Sequence, residues 1–307
     1  WYHFWMQREE RQTLWIPLVT SFIVATSALI GAGVTESQTV LLDGLFSVAY
    51  VIAGAFTLYV ARLLRRPSDA RFPYGYGAFE PLVNLVKSLL LTGISVSAFW
   101  EAVSALTRGG REIEFGGAVA FSAFSFGVST VAALLIWWRS RTVNSPLIRG
   151  DAIGSALDAL STLTVLIAFV LGGWLHAQGQ EALARYVDPV LTVGLVLVTL
   201  PVPYRLGREA LSQLLAQSPP AEQRARVEQA IQEGFRDAPV QTLEIKTIKV
   251  GRQWDVRIQA TLEAQASTLT VSEADGFRRA VQERLATLDE EVQVAVVLRP
   301  SGAPHFG

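Results

Sequence analysis

With 307 residues, half of them hydrophobic and only 17% charged, and a mean hydropathy of +0.33, the chain is too apolar for an ordinary soluble domain. A net charge of -1 leaves no basic surplus to track a phosphate backbone, so nucleic acid is excluded as an expected partner. The absence of cysteine excludes disulfides and thiolate metal sites, and with only His3, His176 and His305 an imidazole-rich zinc site is hard to build.

Residues 1–14 mix aromatics with Arg8, Glu9, Glu10 and Arg11, the composition of an interfacial lead-in. Six apolar runs follow, at 15–34, 39–61, 80–103, 117–138, 151–174 and 189–206, each near the ~20 residues that span a hydrocarbon core. The expected fold is therefore a polytopic α-helical membrane domain of six transmembrane helices over 15–206. Basic residues concentrate in two connections, Arg62, Arg65, Arg66 and Arg71 in one and Arg139, Arg141 and Arg149 in the other. The third connection has Arg108 and Arg111, and the fifth only Arg185. Because lysine and arginine are retained on the cytoplasmic side, this bias predicts that both termini are cytoplasmic.

After Leu206 the composition turns to that of a soluble domain. Residues 221–235 carry a helical pattern behind the breaker Pro219 and Pro220. Residues 242–250 and 253–262 alternate around Gly251 as a hairpin, 271–288 read as a helix, and 292–298 as a closing strand. The expectation is a C-terminal cytoplasmic α+β domain over 207–300, of order αββαβ and ferredoxin-like, with a tail at 301–307.

Carboxylates inside the spans carry the functional signal. On a helix, Asp151, Gly154 or Ser155, Asp158 and Thr162 share one face at spacings of three and four, and the second span holds Asp43. A charged side chain near the bilayer centre costs roughly 2.5 to 3.5 kcal/mol on insertion scales, so it is seldom present without a cation, a proton or a basic partner. Glu80, Asn84 and Lys87 share a face of the third span. Asn84 offers an amide oxygen. Lys87 is either a counter-ion that competes with a metal for a carboxylate or a snorkelling residue that reaches the headgroups. Gly150 with Gly154 forms a small-residue face suited to close helix packing.

Together, the runs LLDGLFS over 41–47, RFPYGYGAFE over 71–80, DAIGSALD over 151–158 and VVLRP over 296–300 resemble motifs of the cation diffusion facilitator family of metal exporters. The resemblance covers about residues 18–300. It implies a transport site with pairs of side chains four apart on the second and fifth spans, which fall here at Asp43 and Ser47, and at Gly154 and Asp158. Half of the usual set is thus missing, because glycine offers no ligand and Ser47 only a neutral hydroxyl. The histidines of the family's loop and cytoplasmic metal sites are also absent, so secondary metal sites are not expected.

The resemblance implies a homodimeric secondary transporter, not an enzyme, in the bilayer of a cell's inner membrane if the source is bacterial. It would export a divalent metal cation in exchange for protons, with Asp43, Ser47, Asp158 and Asn84 as candidate ligands and Lys87, Asp151 and Glu80 as candidate counter-ion or pathway residues. An oxygen-only site favours Mn²⁺, Fe²⁺ or Mg²⁺; Co²⁺ and Zn²⁺ enter through the resemblance. No Gly-Lys-Ser/Thr loop is present to use ATP. The alternative is a site-degenerate relative that serves as a structural or regulatory partner of another subunit.

Overall fold

The computed structural model describes residues 13, 15–27, 38–111, 115–142, 145–236, 238–251, 253–263, 271–286 and 291–299. Of these, the side chains of 38–47, 49–50, 115–118, 271–274, 286 and 291 lie outside the description. The chain divides into two compact units, residues 1–210 and 211–307.

The first unit is helical. Its elements are α1 (Trp15–Ser27), α2 (Gln38–Leu63), α3 (Phe79–Thr107), α4 (Phe115–Ser140), α5 (Pro146–Ala177), α6 (Glu181–Thr199) and α7 (Pro201–Leu214). The last of these runs past the boundary between the units. Among the described residues, Phe79–Thr107, Val119–Ser140, Pro146–Ala177 and Glu181–Leu214 are long and apolar enough to cross a bilayer. Trp15–Ser27 and Val51–Leu63 are shorter apolar helices.

Helix α5 begins five residues before the apolar run that marks it, because Ser145 caps it through Ile148 N–H and Pro146 occupies its first turn. Helix α6 departs further from the sequence expectation. Pro189, expected to open the sixth span, lies in the helix interior. Proline has no N–H for the Arg185 carbonyl one turn back, which would leave an unpaired backbone acceptor. The backbone N–H of Arg111, in the loop after α3, fills that vacancy at 2.9 Å. The loop approaches so closely that only glycine fits at 110: its φ is +94°, and a Cβ there would lie 2.5 Å from Arg185 Cβ.

Leu58, Val60 and Ala61 at the end of α2, Val83 near the start of α3, Ile136 near the end of α4, and Leu147 and Ile148 at the start of α5 form one buried cluster. The two arginine-rich connections, 2–3 and 4–5, therefore emerge at the same end of the unit. The first is held by Asp69, which accepts bonds from Arg71 N, Phe72 N and the Tyr76 hydroxyl. These donors hold the Asp69 carboxyl below its ordinary range, with the Tyr76 bond the largest cause.

The second unit contains α8 (Ala221–Gly234), β1 (Val240–Val250), β2 (Gln253–Leu262), α9 (Val271–Ala286) and β3 (Glu291–Arg299). Strand β2 is central, antiparallel to β1 and parallel to β3. The β1–β2 turn passes through Gly251 at φ +61°, whose N–H is bound by the Gln213 side chain at 3.0 Å. Alternate β2 residues Trp254, Val256, Ile258 and Ala260 pack with Val227 and Ile231 of α8, Phe235 just past its end, and Val281 and Leu285 of α9. A period of two on the strand against a helical period on its partners produces this one-sided core.

Candidate cation site

A cavity of about 80 Å³ lies within the helical unit, walled by α1 (Pro17, Thr20), α2 (Gly54), α3 (Lys87), α4 (Ser129) and α5 (Asp151, Gly154, Asp158). A water needs about 10–15 Å³ of such volume, so there is room for several waters or a partly hydrated ion. Asp151 and Asp158 are two helical turns apart, about 10 Å along α5, and Asp158 is the deeper of the two from the arginine-rich end. The helix presents both to one side because seven residues make nearly two full turns, as their spacing foretold.

Lys87 points inward. Its ammonium forms a buried ion pair with Asp151 Oδ1, the two side chains being 9% and 8% exposed. Asp151 Oδ2 has no hydrogen-bond partner among the described residues. Asp158, by contrast, has no cationic partner among the ion pairs of the described residues; the Ser129 hydroxyl donates to its Oδ2 at 2.5 Å. Two carboxylates on one helix face thus receive opposite treatment, one neutralised by an ammonium and the other only hydrogen-bonded.

The remaining candidates are distributed as follows. Asn84 lies beside the cavity rather than in its wall: its amide donates to the Pro146 carbonyl at 3.2 Å, and its buried Oδ1 faces Gly150 without a hydrogen bond. Glu80 is fully buried in the first turn of α3. Asp43 and Ser47 belong to α2, and their side chains lie outside the described residues. Gly154 corrects the packing role read from its spacing to Gly150. A Cβ at Gly150 would collide with Asn84 Oδ1, so the close α3–α5 contact is made there; at Gly154 nothing lies within 4 Å, and the position opens onto the cavity. Among the described residues, no three His, Asp or Glu side chains converge in a way that would hold a metal.

Sequence reasoning missed Ser129. Its signal was present as the hydroxyl face Ser122, Ser125 and Ser129 in an otherwise apolar helix, all three being 3% exposed. Serines often bond back to their own helix in apolar surroundings, as Ser122 does to the Val119 carbonyl, so the spacing alone did not single out the one that reaches across. The ion pair of Arg111 with Asp188 at 2.9 Å was also missed, since it joins the loop after α3 to α6 across 77 residues.

Residues 14–215, more than half of the chain, match the family model of the cation efflux transmembrane domain. The chain belongs to the cation diffusion facilitator family. It is 24% identical over 275 residues to the putative transporter MamV of Paramagnetospirillum magneticum, covering 89% of this chain and 78% of that protein. It is 23% identical over 192 residues to the manganese efflux system protein MneP of Bacillus subtilis, covering 58% and 62%. With the zinc transporter ZitB of Escherichia coli it shares 22% identity over 197 residues, covering 62% and 58%. This cation diffusion facilitator is thus an integral membrane protein of a transporter family, not an enzyme.

Proposed function

We propose that this cation diffusion facilitator exports a divalent metal cation from the cytoplasm in exchange for protons, through a site built on Asp43 and Asp158 with Ser47 as a neutral oxygen. The observation that supports this most directly is Asp158: a carboxylate without a cationic partner among the described residues, facing a cavity inside a membrane-spanning bundle. An anion in that setting is offset by a bound cation or by protonation, and alternation between the two is the chemistry of exchange. Lys87 and Asp151 lie on the access route from the arginine-rich end, where the ammonium neutralises one carboxylate and leaves the other for the cargo. Asn84 and Glu80 lie on the same helix, buried behind Lys87.

The similar proteins named for manganese and zinc set the class of cargo. The oxygen donors of this site, in a chain without cysteine, favour the harder ions of that class, Mn²⁺, Fe²⁺ and Mg²⁺, over Co²⁺ and Zn²⁺. The proposal includes six spans, both termini in the cytoplasm, a bacterial inner-membrane location, a homodimer, and a ferredoxin-like soluble domain over 207–300 behind the membrane domain of 15–206.

A second reading has its own support. Gly154 supplies no ligand and Lys87 already holds a positive charge in the cavity, which fits a relative that has given up transport and acts as a partner of another subunit. Purified protein in vesicles, offered Mn²⁺, Fe²⁺, Co²⁺, Zn²⁺ and Mg²⁺ with and without a pH gradient, separates the two. Gradient-dependent flux of at least one ion, lost in Asp43→Ala and in Asp158→Ala, is expected for the exporter. Absence of flux for every ion, or flux that survives the double alanine variant, overturns it.

A further inference from the structure

We propose that Ser129 of α4 is a ligand of the transported cation and supplies, from a third helix, an oxygen that the motif positions on α2 and α5 lack. The proposal rests on the reading of Asp158 as a cargo site and extends it to a residue that no motif of the chain marks.

Three observations converge on this hydroxyl. It is 3% exposed, lines the cavity, and donates to Asp158 Oδ2 at 2.5 Å. A serine hydroxyl has one hydrogen and two lone pairs, so a hydrogen committed to the carboxylate leaves the oxygen's lone pairs to accept a proton or a cation. An ion held at ~2.1–2.4 Å from both oxygens fits after a modest widening of the pair. On the other side, Gly154 leaves the space of a whole side chain open, with nothing within 4 Å of where its Cβ would be. The missing ligand and the added one therefore line the same cavity, Gly154 one turn before Asp158 on α5 and Ser129 meeting Asp158 from α4.

The alternative to ligation is that Ser129 only orients Asp158. Among the described residues α4 and α5 pack against each other extensively, and the Ser129–Asp158 bond is one contact of that interface. Ser125, on the same face and equally buried, has no hydrogen-bond partner among the described residues and does not line the cavity. Ser125 therefore serves as an internal control for a buried hydroxyl on α4 without access to cargo.

The chain contains no cysteine, so Ser129→Cys introduces its single thiol. Sulfur that touches the ion shifts preference toward soft cations, whereas sulfur that merely orients a carboxylate does not. On titration of the purified, full-length protein with Cd²⁺, Ser129→Cys is expected to develop the ultraviolet thiolate-to-cadmium absorption at stoichiometric metal. Its affinity should exceed that of Ser125→Cys by at least about tenfold and fall by a similar factor when Asp158→Asn is added. Calorimetry with Mn²⁺ gives an independent reading: Ser129→Ala weakens binding about tenfold, and Ser129→Thr, which keeps the hydroxyl, stays within about threefold of the parent. Equal cadmium affinity at 125 and 129, indifference to Asp158→Asn, or unchanged Mn²⁺ binding in Ser129→Ala overturns the proposal. Because these are binding measurements, a ligating Ser129 in a protein that shows no flux would sink the transport reading alone, and flux with an indifferent Ser129 would sink this one alone.

Discussion

Lys87 brings an ammonium into the interior of a membrane bundle, a placement that needs a partner. Asp151 is that partner, and each is about nine-tenths buried. Desolvation of such a pair nearly cancels its attraction, so the pair adds little stability compared with two apolar residues, yet loss of one member strands the other. Lys87→Met is therefore expected to destabilise the purified protein by about 3–5 kcal/mol, with Asp151→Leu added to it restoring most of the loss. Thermal unfolding in detergent across the four-variant cycle measures this. Additive single effects would mean that the two side chains do not act as a pair. The same logic favours Asp158 as the cargo residue of the proposed site: it faces the cavity with only a hydroxyl attached, so an arriving cation would displace no tethered charge.

At the scale of elements, glycines decide how closely helices approach, and position rather than motif tells which ones matter. Gly150 faces Asn84 across the α3–α5 contact, and Gly54 faces Leu18 of α1, where a Cβ would lie 3.2 Å from Leu18 Cδ1. Gly154, one turn along α5, faces open space. Gly150→Ala must push Asn84 off its bond to the Pro146 carbonyl and is expected to cost about 1–3 kcal/mol. Gly154→Ala meets no atom and replaces a poor helix former by the best one, so it should be neutral or stabilising by up to about 1 kcal/mol. Comparison of the two unfolding temperatures tests the assignment, and a greater loss at 154 than at 150 would reverse it. Pro189 illustrates the same dependence on surroundings. It breaks a helix in isolation, but here the Arg111 N–H satisfies the carbonyl it abandons while the Arg111 guanidinium holds the neighbouring Asp188.

For the whole molecule, the buried cluster of Leu58, Val60, Ala61, Val83, Ile136, Leu147 and Ile148 gathers the ends of four helices, so both arginine-rich connections leave from one end. The proposed orientation, from the positive-inside rule, puts that end in the cytoplasm. Reporters at Ser68 and after Gly307 should both read cytoplasmic and one at Gly110 external. An external signal at Ser68 would invert the proposed orientation, and with it the proposed direction of transport. The second unit builds its own core from α8, β2 and α9, as its sequence period requires.

The sequence alone determined the membrane class, the order of helices and strands in the second unit and the two carboxylates on α5, because hydrophobic period and intramembrane charge are local properties readable along the chain. It also carried the family, which the match of residues 14–215 to the cation efflux transmembrane domain bears out. Only the tertiary structure decided that Lys87 turns to Asp151, that Gly150 rather than Gly154 makes the close contact, that Pro189 sits inside a helix and that Ser129 reaches Asp158. Each of these joins residues 29 to 77 positions apart or depends on what surrounds a residue in space. A one-dimensional pattern fixes which face of a helix a side chain occupies, but the partner across that face is chosen by packing.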